Sequence, residues 1–314
     1  VVDDSQKREI MEGVGAFEAA LIEKAIAIET PDVRAILLAV DRSNQDPTAI
    51  AIAGEVAGRC RAAVYVIYAP EGARSAEDER YCETVAAELR APPWKLDAHA
   101  KCVNAPLPAQ QILGAAQEVK ADLVVLPAPY LRDLGLIGDQ SLGSPVDMLM
   151  VELAAPLLIV RQPLAKPSEC FARALIAVSA PTEEIGRAAG WALKLVDPRG
   201  TIELLAIADE AALQEAKALL DEKVARGALE AEALARATTK QAGALIAAVQ
   251  KRGAEIGVGV HVEVKVGKAV EIEVAEANRR PCLVFTGTPN DRTSPAFHRA
   301  KDVALGSIYP VLVT

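Results

Sequence analysis

Short, uninterrupted apolar runs punctuate the chain at regular intervals. The first, Ala35 to Val40, follows Arg34 and ends at Asp41-Arg42-Ser43-Asn44. A continuous run of this length, bounded by polar residues, predicts a strand buried on both faces. Arg173 to Ser179 has the same pattern, and Val178 lies 138 residues after Val40. A second strand is predicted at Ala63 to Tyr68 and another at Thr201 to Ile207, again 138 residues apart from Val64 to Ile202. Between the strands of each pair lies a small-residue helix, about residues 47–60 and 182–196. One architecture is written twice.

The repeat continues with a changed interval. Leu123 to Leu126 matches Cys282 to Phe285 at an offset of 159, and Pro156 to Val160 matches Pro310 to Val313 at an offset of 154. The second half therefore gains 21 residues before its fourth strand and loses five after it. The gain falls between Glu210 and Ile256, a stretch of strong helix formers that Gly227 or Gly253 would interrupt. Third strands are expected at Trp94 to Val103 and at His261 to Val266, where valine alternates with charge. Each half then reads as alternating strands and helices with five strands, an α/β open parallel sheet. Two prolines in a polar setting, Pro163 and Pro167, mark the boundary. The expected units are a first domain over 31–163, a linker over 164–170 and a second domain over 171–314.

Residues 1–30 stand outside the repeat. Ile10, Val14, Phe17, Leu21, Ala25 and Ile28 recur every three or four positions, which predicts an amphipathic helix over 6–29. It packs either on its own first domain or on a partner, such as a second copy of the chain.

Composition narrows the function. Of 314 residues, 51% are hydrophobic but only 4% aromatic, so the core is built from Ala, Val, Leu and Ile. The net charge of −9 repels phosphate backbones, and no nucleic-acid partner is expected. No apolar stretch reaches the length a bilayer needs, so no membrane span is expected. Val1-Val2-Asp3-Asp4 lacks the basic and apolar character of a signal peptide, and the expected compartment is the cytoplasm. The five cysteines form no CxxC pair and the three histidines are scattered, so no metal is expected.

Several motifs together resemble the universal stress protein family in its tandem form. They are Val40-Asp41-x-Ser43 at the end of the first strand, Ala121 to Leu126 after the helix Ala109 to Val119, and Gly143-Ser144. Pro156 begins the last strand thirteen residues after Gly143. The resemblance covers about residues 33–161 and 172–314. It implies two Rossmann-like open-sheet domains whose last strands pair, here within one chain. It also implies a stress-response or regulatory role without enzymatic activity. Some members bind ATP or AMP and others bind no nucleotide. Where nucleotide binds, the candidates carried over are Asp41, against the adenine, with Ser43 of the same motif, and Gly143 and Ser144 on the phosphate side.

The residues themselves leave two roles open for Asp41: an adenine contact, or a cap on the following turn. Ser144-Pro145-x-Asp147 reads as a helix start with Ser144 as N-cap, whose N-terminus would attract an anion that Asp147 opposes. The family pattern of the phosphate loop is Gly-x2-Gly-x9-Gly-Ser/Thr. Here Pro127 and Tyr130 occupy the first two glycine positions, and the segment to Gly143 is three residues longer. Proline removes a donor and forbids positive φ. Gly135 and Gly138 would serve only after a register shift. In the second half Ser179 replaces the aspartate, Gly287 stands one position late, and Ser294-Pro295 would open the last helix. His298 and Arg299 on its first turn either meet an anion or face solvent.

Enzyme motifs are lacking: there is no GxxxxGK[ST], GxSxG or HExxH. Asp41-x-Ser43 has no neighbouring His or Lys to activate a nucleophile. Three readings follow. The first is a non-enzymatic stress-response or regulatory protein, an intramolecular pseudo-dimer whose second half is mainly scaffold. The second is an adenine-nucleotide sensor working through the first half. The third is a small-molecule enzyme of another α/β family.

Overall fold

The computed structural model describes residues 28–72, 75–103, 105–132, 134–137, 141–178, 182–209, 231–287 and 293–314. The first half runs β1 (Ala35–Val40), α1 (Asp46–Cys60), β2 (Ala63–Tyr68), α2 (Ala76–Arg90), β3 (Ala98–Ala100) and α3 (Pro108–Val119). It continues with β4 (Leu123–Pro127), the short α4 (Leu134–Ile137), α5 (Ser144–Glu152) and β5 (Leu157–Val160). A 3-10 turn, Pro167–Ala172, leads to β6 (Arg173–Val178), α6 (Glu183–Leu195), β7 (Thr201–Asp209) and α7 (Ala231–Ile256). Then follow β8 (Gly259–Gly267), α8 (Ala269–Ala277), β9 (Leu283–Thr286), α9 (Pro295–Gly306) and β10 (Val311–Val313).

All ten strands join one sheet in the order β3-β2-β1-β4-β5-β10-β9-β6-β7-β8. Neighbours are parallel except at the centre, where β5 and β10 run antiparallel with Leu158 opposite Leu312. The central strands are buried on both faces, which is why they read as unbroken apolar runs. Each face carries one core that crosses the seam between the halves. Leu38, Val40 and Leu158 share one with Ile176, Phe285 and Leu312. Leu37, Leu126 and Ile159 share the other with Leu175, Val284 and Val311.

Three expectations change. β3 is three residues long rather than spanning 94–103, because Trp94 packs instead on α1: a Cβ at Gly54 would lie 2.9 Å from its ring. β8 is longer than expected, at nine residues. α7 passes through Gly253 unbroken and gives way at Gly257, whose φ of +77° suits glycine. Gly253 serves close packing instead, since a Cβ there would meet Val260 at 2.7 Å. Most of the helix expected over 6–29 lies outside the described residues, as does Gly227. Ile28 packs on the core, and the Glu29 carbonyl rests on Gly190 of α6.

Candidate functional site

The carboxyl ends of parallel strands are where open sheets place ligands. In the first half these ends are closed by the turn after β1. Arg42 takes the left-handed conformation, φ +65°, which bends the chain back toward α1. The carboxylate of Asp46, in the first turn of α1, accepts the Asp41 N–H at 3.1 Å and the Arg42 N–H at 2.8 Å. The Tyr81 hydroxyl donates to Asp46 at 2.6 Å. Burial raises the Asp46 carboxyl to about 6, and the neighbouring Asp41 charge adds to this against the three donors. Burial also pushes the Tyr81 phenol up, helped by its bond to Asp46.

Asp41 itself is nearly buried and its two oxygens are engaged from opposite sides. Oδ1 accepts the Ser43 N–H at 2.9 Å, an Asx turn. Oδ2 accepts the Leu131 N–H at 2.8 Å, from the loop after β4. Asp41 therefore caps the turn and anchors that loop together. Gln45 ties the same loop to the end of β5: its Nε2 donates to the Ala128 and Arg161 carbonyls at 2.9 and 2.8 Å. The Tyr130 ring is fully buried, and its hydroxyl bridges β1 and the end of β2.

Outside this knot a cleft of about 520 Å³ remains, lined in part by Asp41, Ser43, Gln45, Tyr68, Leu131 and Arg132. Its two arginines are already paired. Arg42 lies 5.0 Å from the Tyr68 ring and 2.9 Å from Asp78, and Arg132 lies 2.8 Å from Glu71. A second concavity of about 320 Å³ in the other half is lined by charges paired among themselves, with Arg173 on Glu203 at 2.5 Å.

Of the four residues expected at a nucleotide, Asp41 and Ser43 stand on the cleft wall. Gly143 and Ser144 are not among the residues lining this cleft, and Gly143 packs against the loop after β4: a Cβ on it would lie 3.5 Å from Pro129 and 3.7 Å from the Tyr130 nitrogen. The N-cap of α5 is Gly143, not Ser144, because Ser144 is already helical and the Gly143 carbonyl accepts the Asp147 N–H. Asp147 is turned to Lys301 of the second half, at 2.8 Å. Gly143 needs its φ of +86° for this start.

In the second half, Ser179 and Gly138 of the first-half loop lie outside the described residues. Gly287 packs on α6, where a Cβ would meet Glu184 at 2.5 Å. Ser294 does cap α9, accepting the Phe297 N–H at 3.0 Å. Arg299 neither faces solvent nor awaits an anion: it pairs at 2.9 Å with Glu273, which is fully buried. The His298 ring sits edge-on to Phe297.

Asp46, Tyr81 and Gln45 escape a reading of the sequence. An acidic residue beside Pro47 in a first turn signals a helix start, but nothing local signals Tyr81, 35 residues on. Among the described residues no group of three His, Cys, Asp or Glu side chains is arranged to hold a metal ion. No helix among them is long and apolar enough to cross a membrane.

This is a doubly wound α/β sheet made of two similar five-stranded halves. Its fold is that of the universal stress proteins. A universal stress protein from Archaeoglobus fulgidus superposes with a TM-score of 0.59 at 16% identity, over 91% of this chain and 97% of that one. A putative universal stress protein from Pseudomonas aeruginosa gives 0.59 at 15% identity, over 94% of each chain. The cytoplasmic domain of a prokaryotic cation chloride cotransporter gives 0.52 at 7% identity, over 89% of this chain and 95% of that one. No protein-family model matches the chain. No curated protein matches it either.

Proposed function

We propose that this chain is a non-enzymatic regulatory or stress-response protein of the cytoplasm, a universal-stress-type pair folded in cis. In this reading domain one spans 31–163, the linker 164–170 and domain two 171–314, and the second domain is mainly scaffold. The observation that carries it is the antiparallel pairing of β5 with β10, which makes one sheet of two halves. Such pairing removes two apolar sheet edges and holds both halves in one body. Further support comes from the first-half loop, whose Tyr130 and Leu131 take up the groups at the end of β1. In the resembled family that is where nucleotide would sit. The N-terminal segment either packs on its own first domain or offers a contact to a protein partner or a second copy.

A second reading rests on the cleft of about 520 Å³ that leaves Asp41 and Ser43 on its wall. It would admit an adenine nucleotide, ATP or AMP, to the first half, with Gly143 and Ser144 recruited only if the 129–131 loop moves. Titration calorimetry with ATP, ADP and AMP separates the two. The expected result is no binding tighter than about 100 µM by a folded protein. Tighter binding that Asp41→Ala abolishes while preserving the fold would establish the nucleotide sensor. Turnover of the nucleotide would establish an enzyme.

A further inference from the structure

The two outer edges of the sheet are unequal. β3 closes one edge with three residues, whereas β8 closes the other with nine, and within the described strands its outer side has no neighbour. Edge strands are ordinarily kept short, broken by proline or bulged, because their free main-chain groups recruit another strand. β8 is long, free of proline and in unbroken register over Gly259–Gly267, so what guards this edge is charge, Glu263 and Lys265.

The direction of its free groups follows from one bond. The Gly259 N–H donates inward to the Gly200 carbonyl at 3.0 Å. Main-chain groups alternate along a strand. His261, Glu263 and Lys265 thus turn theirs to β7, while Val260, Val262, Val264 and Val266 turn theirs outward. The valine side chains all stand on one face of the sheet. Val260 and Val262 pack on the core there, but Val264 and Val266 are 39% and 40% exposed. On the opposite face Glu263 and Lys265 stand two residues apart and 3.3 Å from each other, and Lys265 also bonds Glu276 of α8, so it would share its charge between that residue and a partner strand.

An acid and a base flanking a valine form a sequence that complements itself when reversed. We infer that a second copy of this chain adds its β8 antiparallel to this one, about a twofold axis at Val264. In that register Val264 faces the partner's Val264, and Val262 faces the partner's Val266. These are hydrogen-bonded pairs, each exchanging two main-chain bonds. Glu263 then faces the partner's Lys265 at the intervening closer pairs, twice by symmetry. The neighbouring registers are poorer. Centred on Glu263, the ladder sets two carboxylates face to face. Centred on Val262, it leaves Val266 beyond the paired residues and Lys265 opposite glycine. The product is a continuous sheet through both molecules, formed at an edge distinct from the β5–β10 seam.

Sedimentation velocity on the full chain, across about 1–100 µM, tests this. The expected result is a concentration-dependent dimer. Glu263→Lys brings ammonium groups face to face at both pairs and weakens association at least about tenfold; Lys265→Glu does the same with carboxylates. An equal mixture of the two variants restores a heterodimer, because each then presents the charge the other lacks. Circular dichroism of each variant separates lost pairing from lost folding. A wild-type chain that stays monomeric throughout overturns the inference. So does a dimer that neither variant weakens, which would assign the contact to another surface, such as the N-terminal segment. Failure of the mixture to associate when both variants are folded also overturns it.

Discussion

The Tyr130 hydroxyl donates to the Val40 carbonyl at 2.9 Å, in the interior at the end of β1. The same oxygen accepts the Ala69 N–H at 3.0 Å, so one side chain joins β1, the end of β2 and the loop after β4. Burial pushes this phenol well above its usual range, and it stays protonated as the donor the Val40 carbonyl needs. Tyr130→Phe keeps the ring but strands a buried donor and a buried acceptor. The expected loss is about 1–3 kcal/mol of stability, read from urea unfolding. Equal stability in the variant would mean that the two main-chain groups find other partners.

The seam between the halves makes a second expectation. Leu158 and Leu312 are both fully buried and stand directly opposite each other across the antiparallel pair. Leu158→Ala and Leu312→Ala should each cost about 2–5 kcal/mol. Because they face each other, the double variant should depart from additivity by about 0.5–3 kcal/mol. Strict additivity in a denaturant double-mutant cycle would show that the halves do not meet there in solution.

These contacts divide into those a sequence reveals and those it conceals. β1 and β6 are legible because parallel strands covered on both faces need unbroken apolar runs, and Ala35–Val40 supplies one. The ends of β3 are not, because Trp94 is as good a packing residue against Gly54 as it is a strand residue. Ser144 looks like a cap since Ser-Pro-x-Asp matches the local pattern, yet the positive φ of Gly143 moves the helix start by one residue. Asp41 stands out through its motif. Its partner Leu131 lies 90 residues away, and no periodicity joins them. Strand identity is a local property of the chain, whereas the closure of the candidate site is made by long-range hydrogen bonds.

Gly190 offers a test in which the sign decides. It lies within α6, where replacing glycine by alanine ordinarily stabilises a helix by about 1 kcal/mol. Here a Cβ would fall 2.1 Å from the Glu29 carbonyl oxygen, far inside contact distance. Either the segment before β1 or the helix must shift. Gly190→Ala should therefore destabilise, by about 1–3 kcal/mol in thermal or urea unfolding. A more stable variant would mean that residues 28–30 do not hold their place on the second half.

Asp46 makes the candidate site sensitive to acid in an unusual direction. Its carboxyl is nearly buried, and burial raises it from the ordinary 3.8 to about 6, the nearby Asp41 charge adding to the effect. Between those two values the folded chain binds more protons than the unfolded one. Linkage then requires stability to fall as pH rises across that window, and to be unaffected by this group above it. Glu203 acts oppositely: despite its burial, Arg173 and Arg280 hold it below the usual carboxylate range, so its contribution grows as pH rises through the acid region. That effect is common to the wild type and to Asp46→Asn, and it cancels in their difference. Urea unfolding of both proteins from about pH 4 to pH 7 isolates the Asp46 contribution. The stability of the wild type relative to Asp46→Asn should decline up to about pH 6 and then level off, as the burial of Asp46 and the neighbouring Asp41 charge dictate. A difference that stays flat, or that rises with pH, would mean that Asp46 is already ionised at the low end and that the three donors around it outweigh its burial.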